Sequence, residues 1–304
     1  MIKRTLYFGN PAYLKTTNNQ LVVDLPKAEE QEEAESKSIP IEDIGVILLD
    51  HQQITITQAL LAKLLENNVA LITCDGTHHP VGLMLNLEGN TLQSQKHQLQ
   101  IEATVPLKKQ LWQQTIISKI QNQSILLNLL RIENKYLQNL SLNVKSGDSD
   151  NSEAKAANYY WKHLFPDFLE FRRERYGPPP NNLLNYGYAI LRALVARALV
   201  SSGLLPTLGI FHRNQYNAYC LADDIMEPYR PFVDMQVFQI VRNNGRDLEM
   251  STEKKKQLLA VPALDVMIDG KKSPLMNAVS RTTASLVKCF EGNTRKILYP
   301  EMSW

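Results

Sequence analysis

At 304 residues, with 44% hydrophobic and 21% charged side chains, the chain has the composition of a soluble globular protein with one large core or two smaller ones. Its three cysteines, Cys74, Cys220 and Cys289, are far apart and odd in number, which argues against a disulfide framework or a thiolate metal site and fits a reducing compartment. The net charge of +2 hides an asymmetry: residues 1–90 hold 6 basic and 12 acidic side chains (net −6), whereas residues 91–304 hold 27 and 19 (net +8).

A basic second part is compatible with a polyanionic partner, and equally with an ordinary solvated surface. No opening apolar run flanked by basic residues suggests a signal peptide, and no apolar stretch reaches the roughly 20 residues of a bilayer span. The most apolar segment, Ile190 to Leu205, is interrupted by Arg192 and Arg197 and reads as a buried helix. A cytoplasmic protein with no membrane contact is expected.

The first ninety residues read as strands. "RTLYFGN" alternates and ends in a Gly-Asn-Pro turn signal, and "AYLKTTNNQLVVDLP" predicts a hairpin turning at Asn18-Asn19. "KAEEQEEAESKS" lacks large apolar residues and predicts a mobile loop. "IEDIGVILLD" and "VALITCD" suit buried strands, separated by a helix in "TQALLAKLLENN" that stops at Asn67-Asn68. "HPVGLMLNLEGN" is one more strand. From about residue 95 the periodicity is helical nearly throughout, with Leu107, Leu111, Ile116, Ile120, Leu127 and Leu130 on one stripe. A break at "GDSDNS" precedes a helix opening near Ser152, and Pro178-Pro179-Pro180 enforces another stop. Helices are predicted over 182–202, 212–227, 232–244 and 273–292. The layout is α+β: a β-rich domain over 1–90 and an all-helical domain over 91–304.

Three segments can carry chemistry. "SEAKAANYYW" places Glu153 in the first turn of its helix; "FHRNQYNAYCLADDIMEPYRP" carries His212, Asp223, Asp224 and Glu227; and Arg172, Arg173, Arg175, Arg213 and Arg230 surround them. Each has a plainer explanation. Glu153 follows Asp150 by three, the spacing of a capping box. A lone histidine after an apolar stretch is commonly a core or capping residue, and Glu227 can pair with Arg230. Together they are harder to dismiss. Asp224 and Glu227 fall on one side of a helix. On a straight helix His212 would share that side within roughly 60°, but about 22 Å away. Joint ligation therefore requires His212 on a loop that folds back. Two carboxylates and an imidazole suit Mg2+ or Mn2+ acting on phosphate oxygens. His78-His79, beside Gly76 and Pro80, read as loop residues, and no glycine-rich phosphate loop is present.

At these residues the sequence resembles CRISPR-associated protein one, the integrase of CRISPR spacer acquisition. The likeness runs from "RTLYFGNPAYLKTTNNQLVV" through "SEAKAANYYW" to "GIFHRNQYNAYCLADDIMEPYRPFVD". It implies that Glu153, His212 and Glu227 are the catalytic metal ligands, with Asp224 as a supporting acid and Asp223 without a counterpart. Glutamate at 227 departs from the aspartate of many members but keeps a carboxylate. "ADDIMEPYRP" is similar to versions from type II systems. The resemblance implies Mg2+ or Mn2+ as cofactor and double-stranded DNA, both incoming spacer and CRISPR repeat, as substrate. It further implies a homodimer through the β domain and a dimer of CRISPR-associated protein two as partner. A type II effector nuclease and an accessory adaptation protein are further expected partners. The activity expected is attack by a DNA 3′-hydroxyl on repeat-boundary phosphodiesters. A general nuclease of branched DNA and a non-catalytic DNA-binding scaffold are the competing readings.

Overall fold

In the computed structural model, which describes residues 3–26, 36–168 and 171–303, short strands open the chain. They are β1 (Arg4–Phe8), β2 (Ala12–Thr17), β3 (Gln20–Asp24), β4 (Ser36–Pro40), β5 (Ile44–Leu49) and β6 (Ile54–Ile56). Helix α1 (Gln58–Glu66) and strands β7 (Ala70–Cys74) and β8 (Pro80–Met84) follow. Asn18 and Asn19 both take left-handed φ values (50° and 59°), which lets two residues join β2 to β3 with a twist that matches the strands. Two four-stranded sheets result, in the orders β1-β5-β7-β8 and β4-β3-β2-β6. Strands β1, β5 and β7 run parallel, and β8 returns antiparallel along β7. The central β5, "IGVILL", is apolar throughout because a parallel strand is covered on both faces. Leu14, Leu21, Ile44, Ile47, Leu60 and Leu64 form the core. Thr57 caps α1 by accepting from the Leu60 amide.

The mobile loop expected over "KAEEQEEAESKS" falls largely on residues 27–35, outside the described residues. Ser36–Ser38, counted with that loop, instead pair with β3. His78 and His79 sit on the β7–β8 turn. His78 lies 2.8 Å from Asp50 through Nδ1, and His79 is held by Thr77.

The chain separates into two compact units, Met1–Gly89 and Asn90–Trp304. The second contains α2 (Gln93–Glu102), α3 (Val105–Leu129), α4 (Lys135–Leu142), α5 (Ser152–Leu164) and α6 (Asn181–Ser201). After these come α7 (Cys220–Met226), α8 (Arg230–Asn244), α9 (Thr252–Leu259), the hairpin β9 (Asp265–Ile268) and β10 (Lys271–Pro274), and α10 (Leu275–Phe290). The protein is thus α+β as expected, with one correction: the helical part is not purely α, because residues 265–274 form a hairpin. Its turn is Asp269-Gly270, both at positive φ, a pair that favours such turns. The helix expected over 212–227 spans only Cys220–Met226, and residues 212–219 are loop. By length and composition α6 could cross a bilayer, yet 78% of its most apolar window is buried inside the protein.

Candidate metal centre

Helix α3 is the spine of the site, packing against α5 and against the single 3-10 turn Glu227–Tyr229 that links α7 to α8. Each approach delivers one carboxylate. On α5, Ser152, Ala156, Tyr160 and Leu164 recur every four residues and bury one stripe, which leaves Glu153 on the neighbouring flank. The capping explanation of Glu153 does not hold. The Asp148 carboxylate takes the Ser152 and Glu153 amides (2.7 and 3.0 Å), while Asp150 pairs with Lys145. The Glu153 side chain is therefore free to accept a hydrogen bond from the Lys119 ammonium of α3 at 2.7 Å.

Glu227 enters from the opposite side, held by its turn. Pro228 removes an amide the helix would need, and Asn122, one turn from Lys119, donates to the Pro228 carbonyl at 2.8 Å. The Glu227 carboxylate is buried with a cation on each oxygen: Lys119 Nζ lies 2.6 Å from Oε2, and Arg230 Nε lies 2.9 Å from Oε1. Neither contact has the alignment of a hydrogen bond, so both act as ion contacts. Burial favours the neutral acid, but Arg230 and Lys119 outweigh it and hold the Glu227 carboxyl below its ordinary range. Burial likewise works against the charge on Lys119, and Glu227 and Glu153 reverse it, holding the ammonium charged.

His212 lies on the loop before α7 that folds back, as ligation with Glu227 demands. Asp224, fully buried, fixes it there. One carboxylate oxygen takes the Phe211 amide at 2.9 Å, and the other takes the His212 amide at 3.2 Å and ring Nδ1 at 2.5 Å. The loop can come this close because residue 209 is glycine. A Cβ there would stand 2.3 Å from the His212 carbonyl oxygen and 2.8 Å from Asp224 Oδ2. Trp112 of α3 stacks on Phe211 (4.2 Å between ring centres) and meets the His212 ring edge-on at 5.6 Å. The Asp224 hydrogen bond raises the imidazole pKa against burial, and the charges of Glu227 and Glu153 add to that rise. Asp223 does something different. It takes Arg192 on both oxygens (2.7 and 3.1 Å) and the Asn217 amide, bracing the loop onto α6.

Of the arginines noted in the sequence, Arg230 reaches the centre, and it also lies 4.5 Å over the Tyr188 ring. Arg173 is held instead by Asn181 and Asn185. Sequence reasoning passed over Lys119. The available signal was a lysine on the apolar stripe of α3, between Ile116 and Ile120, where it is 8% exposed.

The donor set fits a divalent ion. Two carboxylate oxygens from distant segments converge on one cation, here an ammonium, and the hydrogen bond at Nδ1 leaves the imidazole Nε2 for a ligand, an arrangement common around metal-bound histidines. Among the described residues, no group of three or more His, Cys, Asp or Glu side chains is close enough together to hold a metal as it stands.

A β-rich unit followed by a helical unit, in which two buried or half-buried carboxylates meet one ammonium, defines a two-unit α+β protein with a charged centre in its helical part. The family model of CRISPR associated protein Cas1 matches residues 6–262, and the chain belongs to that family. It is 33% identical over 305 residues, covering 99% of this chain and 97% of the relative, to the CRISPR-associated endonuclease Cas1 of Neisseria meningitidis serogroup C (strain 8013). Among solved structures it resembles a casposase bound to integration product (TM-score 0.78, 19% identity, 98% of this chain and 92% of that one). It also resembles a Cas6-RT-Cas1–Cas2 complex (TM-score 0.75, 20% identity, 99% of this chain and 36% of that one). At these identities the two structures speak for the fold.

Proposed function

We propose that the chain is a metal-dependent DNA integrase that inserts short foreign DNA fragments as new spacers into a CRISPR array. The carrying observation is the meeting of Glu153 and Glu227, from segments 74 residues apart, on one cation beside a histidine oriented by Asp224. In this reading Glu153 and Glu227 supply oxygen ligands and His212 supplies nitrogen to Mg2+ or Mn2+. The ion, when bound, polarises the scissile phosphate and stabilises the charge that develops on it. Asp224 keeps the imidazole in the tautomer that leaves Nε2 unprotonated. Arg230 holds the Glu227 carboxylate in place from the side away from Lys119.

The nucleophile is the 3′-hydroxyl of the incoming DNA, which attacks a phosphodiester at a repeat boundary, once on each strand. One bond forms as one breaks, so no nucleoside triphosphate is consumed. The basic second unit holds DNA through its phosphates, largely independently of sequence. The partners of this reading are a second copy of the chain, joined through residues 1–90, and a dimer of the Cas2 partner. A type II system, suggested by "ADDIMEPYRP", would add its effector nuclease and an accessory adaptation protein. The likeness to structures described as a casposase with integration product and as a Cas1–Cas2 complex supports the reading.

The test is a joining assay with labelled donor and repeat DNA. Wild type is expected to link donor to target, and Glu153→Ala or His212→Ala to lose at least about a hundredfold of that rate while staying folded. Cut fragments without joined product would favour a nuclease of branched DNA. DNA binding without any chelator-sensitive chemistry would favour a scaffold.

A further inference from the structure

Both oxygens of Glu227 are taken by cations, and one of those cations also takes Glu153. Two positive ions cannot share the same pair of carboxylate oxygens at bonding distance, so a divalent ion entering between Glu153 and Glu227 must displace a resident cation. Arg230 is poorly placed to leave, because its guanidinium is held over the Tyr188 ring. Among the described residues, Lys119 is held by its two carboxylate contacts, at the end of a flexible four-carbon stem.

A place for the displaced ammonium already exists. Gln123 lies four residues further along α3, one turn away on the same face, where side chains at this spacing are neighbours. It is 3% exposed, and its Oε1 has no hydrogen-bond partner among the described residues. A buried carbonyl oxygen without a donor is unusual enough to need a reason.

We infer that Lys119 is a cation latch: its ammonium holds Glu153 and Glu227 together in the metal-free protein and moves to Gln123 Oε1 when a divalent ion enters. The inference rests on the metal-site reading of Glu153, His212 and Glu227 and adds what that reading lacks, namely how two buried carboxylates stay assembled without metal. The latch lowers apparent metal affinity, because metal binds only the fraction of molecules in which the ammonium has moved. It also keeps the site from collapsing or repelling itself apart before DNA and metal arrive.

The test is Mn2+ affinity, measured on the full-length protein without DNA at one neutral pH, from the spin-resonance signal of free Mn2+. Lys119→Met is expected to bind Mn2+ about tenfold more tightly than wild type, because the competitor is gone. Gln123→Leu is expected to bind about fivefold more weakly, because the displaced ammonium finds no acceptor. The double variant is expected to match Lys119→Met, since without the lysine Gln123 has nothing to receive. If Lys119→Met folds only when Mn2+ is present, that also supports the latch; if it fails to fold at all, Lys119→Gln carries the same expectation. Equal affinity in wild type and Lys119→Met, with binding lost in Glu153→Ala, overturns the latch and leaves the metal reading intact. No Mn2+ binding in wild type beyond that of Glu153→Ala overturns both.

Discussion

Asp224 and His212, twelve residues apart in sequence, are joined both through the imidazole Nδ1 and through the His212 backbone amide. The double attachment fixes where the ring lies and which nitrogen it offers. Asp224 is buried without exposure, so its carboxylate has no competing solvent partner.

Asp224→Asn should therefore uncouple the ring while leaving Glu153 and Glu227 in place. The His212 titration, followed by the NMR signal of the ring, is expected to move down from its raised position, because its largest cause is the Asp224 hydrogen bond. Joining activity is expected to fall by about 10- to 100-fold, the usual consequence of losing the partner of a metal-bound histidine. An unmoved titration with unchanged activity would contradict this role.

Glu153 and Glu227 should differ in stability even though both are needed for chemistry. In Glu153→Ala, Lys119 keeps its contact with Glu227, and little stability is lost. Glu227→Ala leaves both the half-buried Arg230 guanidinium and the buried Lys119 ammonium without that carboxylate, and is expected to cost more, about 2–4 kcal/mol. Urea unfolding of the two variants side by side reads the difference. Equal losses would mean that Arg230 finds another partner.

Much of this was legible in the sequence, and the gaps have physical reasons. The strands of the first unit and the turn at Asn18-Asn19 follow from alternation and from asparagine's tolerance of positive φ. The hairpin over 265–274 carried the same kind of signal, Asp269-Gly270, but lay between the helices predicted over 232–244 and 273–292, where its short strands lack a clear alternation. Periodicity also carried the expected helix back to His212, whereas the structure ends it at Cys220. There the Asp224 carboxylate takes the Phe211 and His212 amides, and bonds spanning thirteen and twelve residues leave no periodic trace. The resemblance pointed to Glu153, His212 and Glu227. Lys119 escaped because a charged residue on an apolar stripe is normally discounted, and only the folded chain reveals that two carboxylates from elsewhere meet it there.

Another buried carboxylate, hydrogen-bonded to Tyr188, whose ring lies beneath Arg230, makes the pH dependence of stability testable. Asp234 accepts hydrogen bonds from Tyr160 (2.8 Å) and Tyr188, and burial nevertheless pushes its pKa up to about 6. The folded protein therefore binds this proton more tightly than the unfolded chain, and stability from this group is full below about pH 4 and lost as pH rises through about 6. Asp234→Asn removes the titration. Relative to wild type, the variant is expected to gain about 3 kcal/mol between pH 4 and pH 7, at about 1.4 kcal/mol per pKa unit. Chemical denaturation at a series of pH values measures it. A difference that stays flat with pH would show that Asp234 is ionised throughout.

The central claim, that Glu153, His212 and Glu227 jointly hold one divalent ion used to join DNA, is tested most directly by anomalous diffraction from crystals grown in Mn2+. The expected result is a single peak within bonding distance of both carboxylates and of the His212 ring, with the Lys119 ammonium withdrawn, and no such peak in Glu153→Ala. A peak elsewhere, or none at this centre in a preparation that joins DNA in excess chelator, would contradict the account.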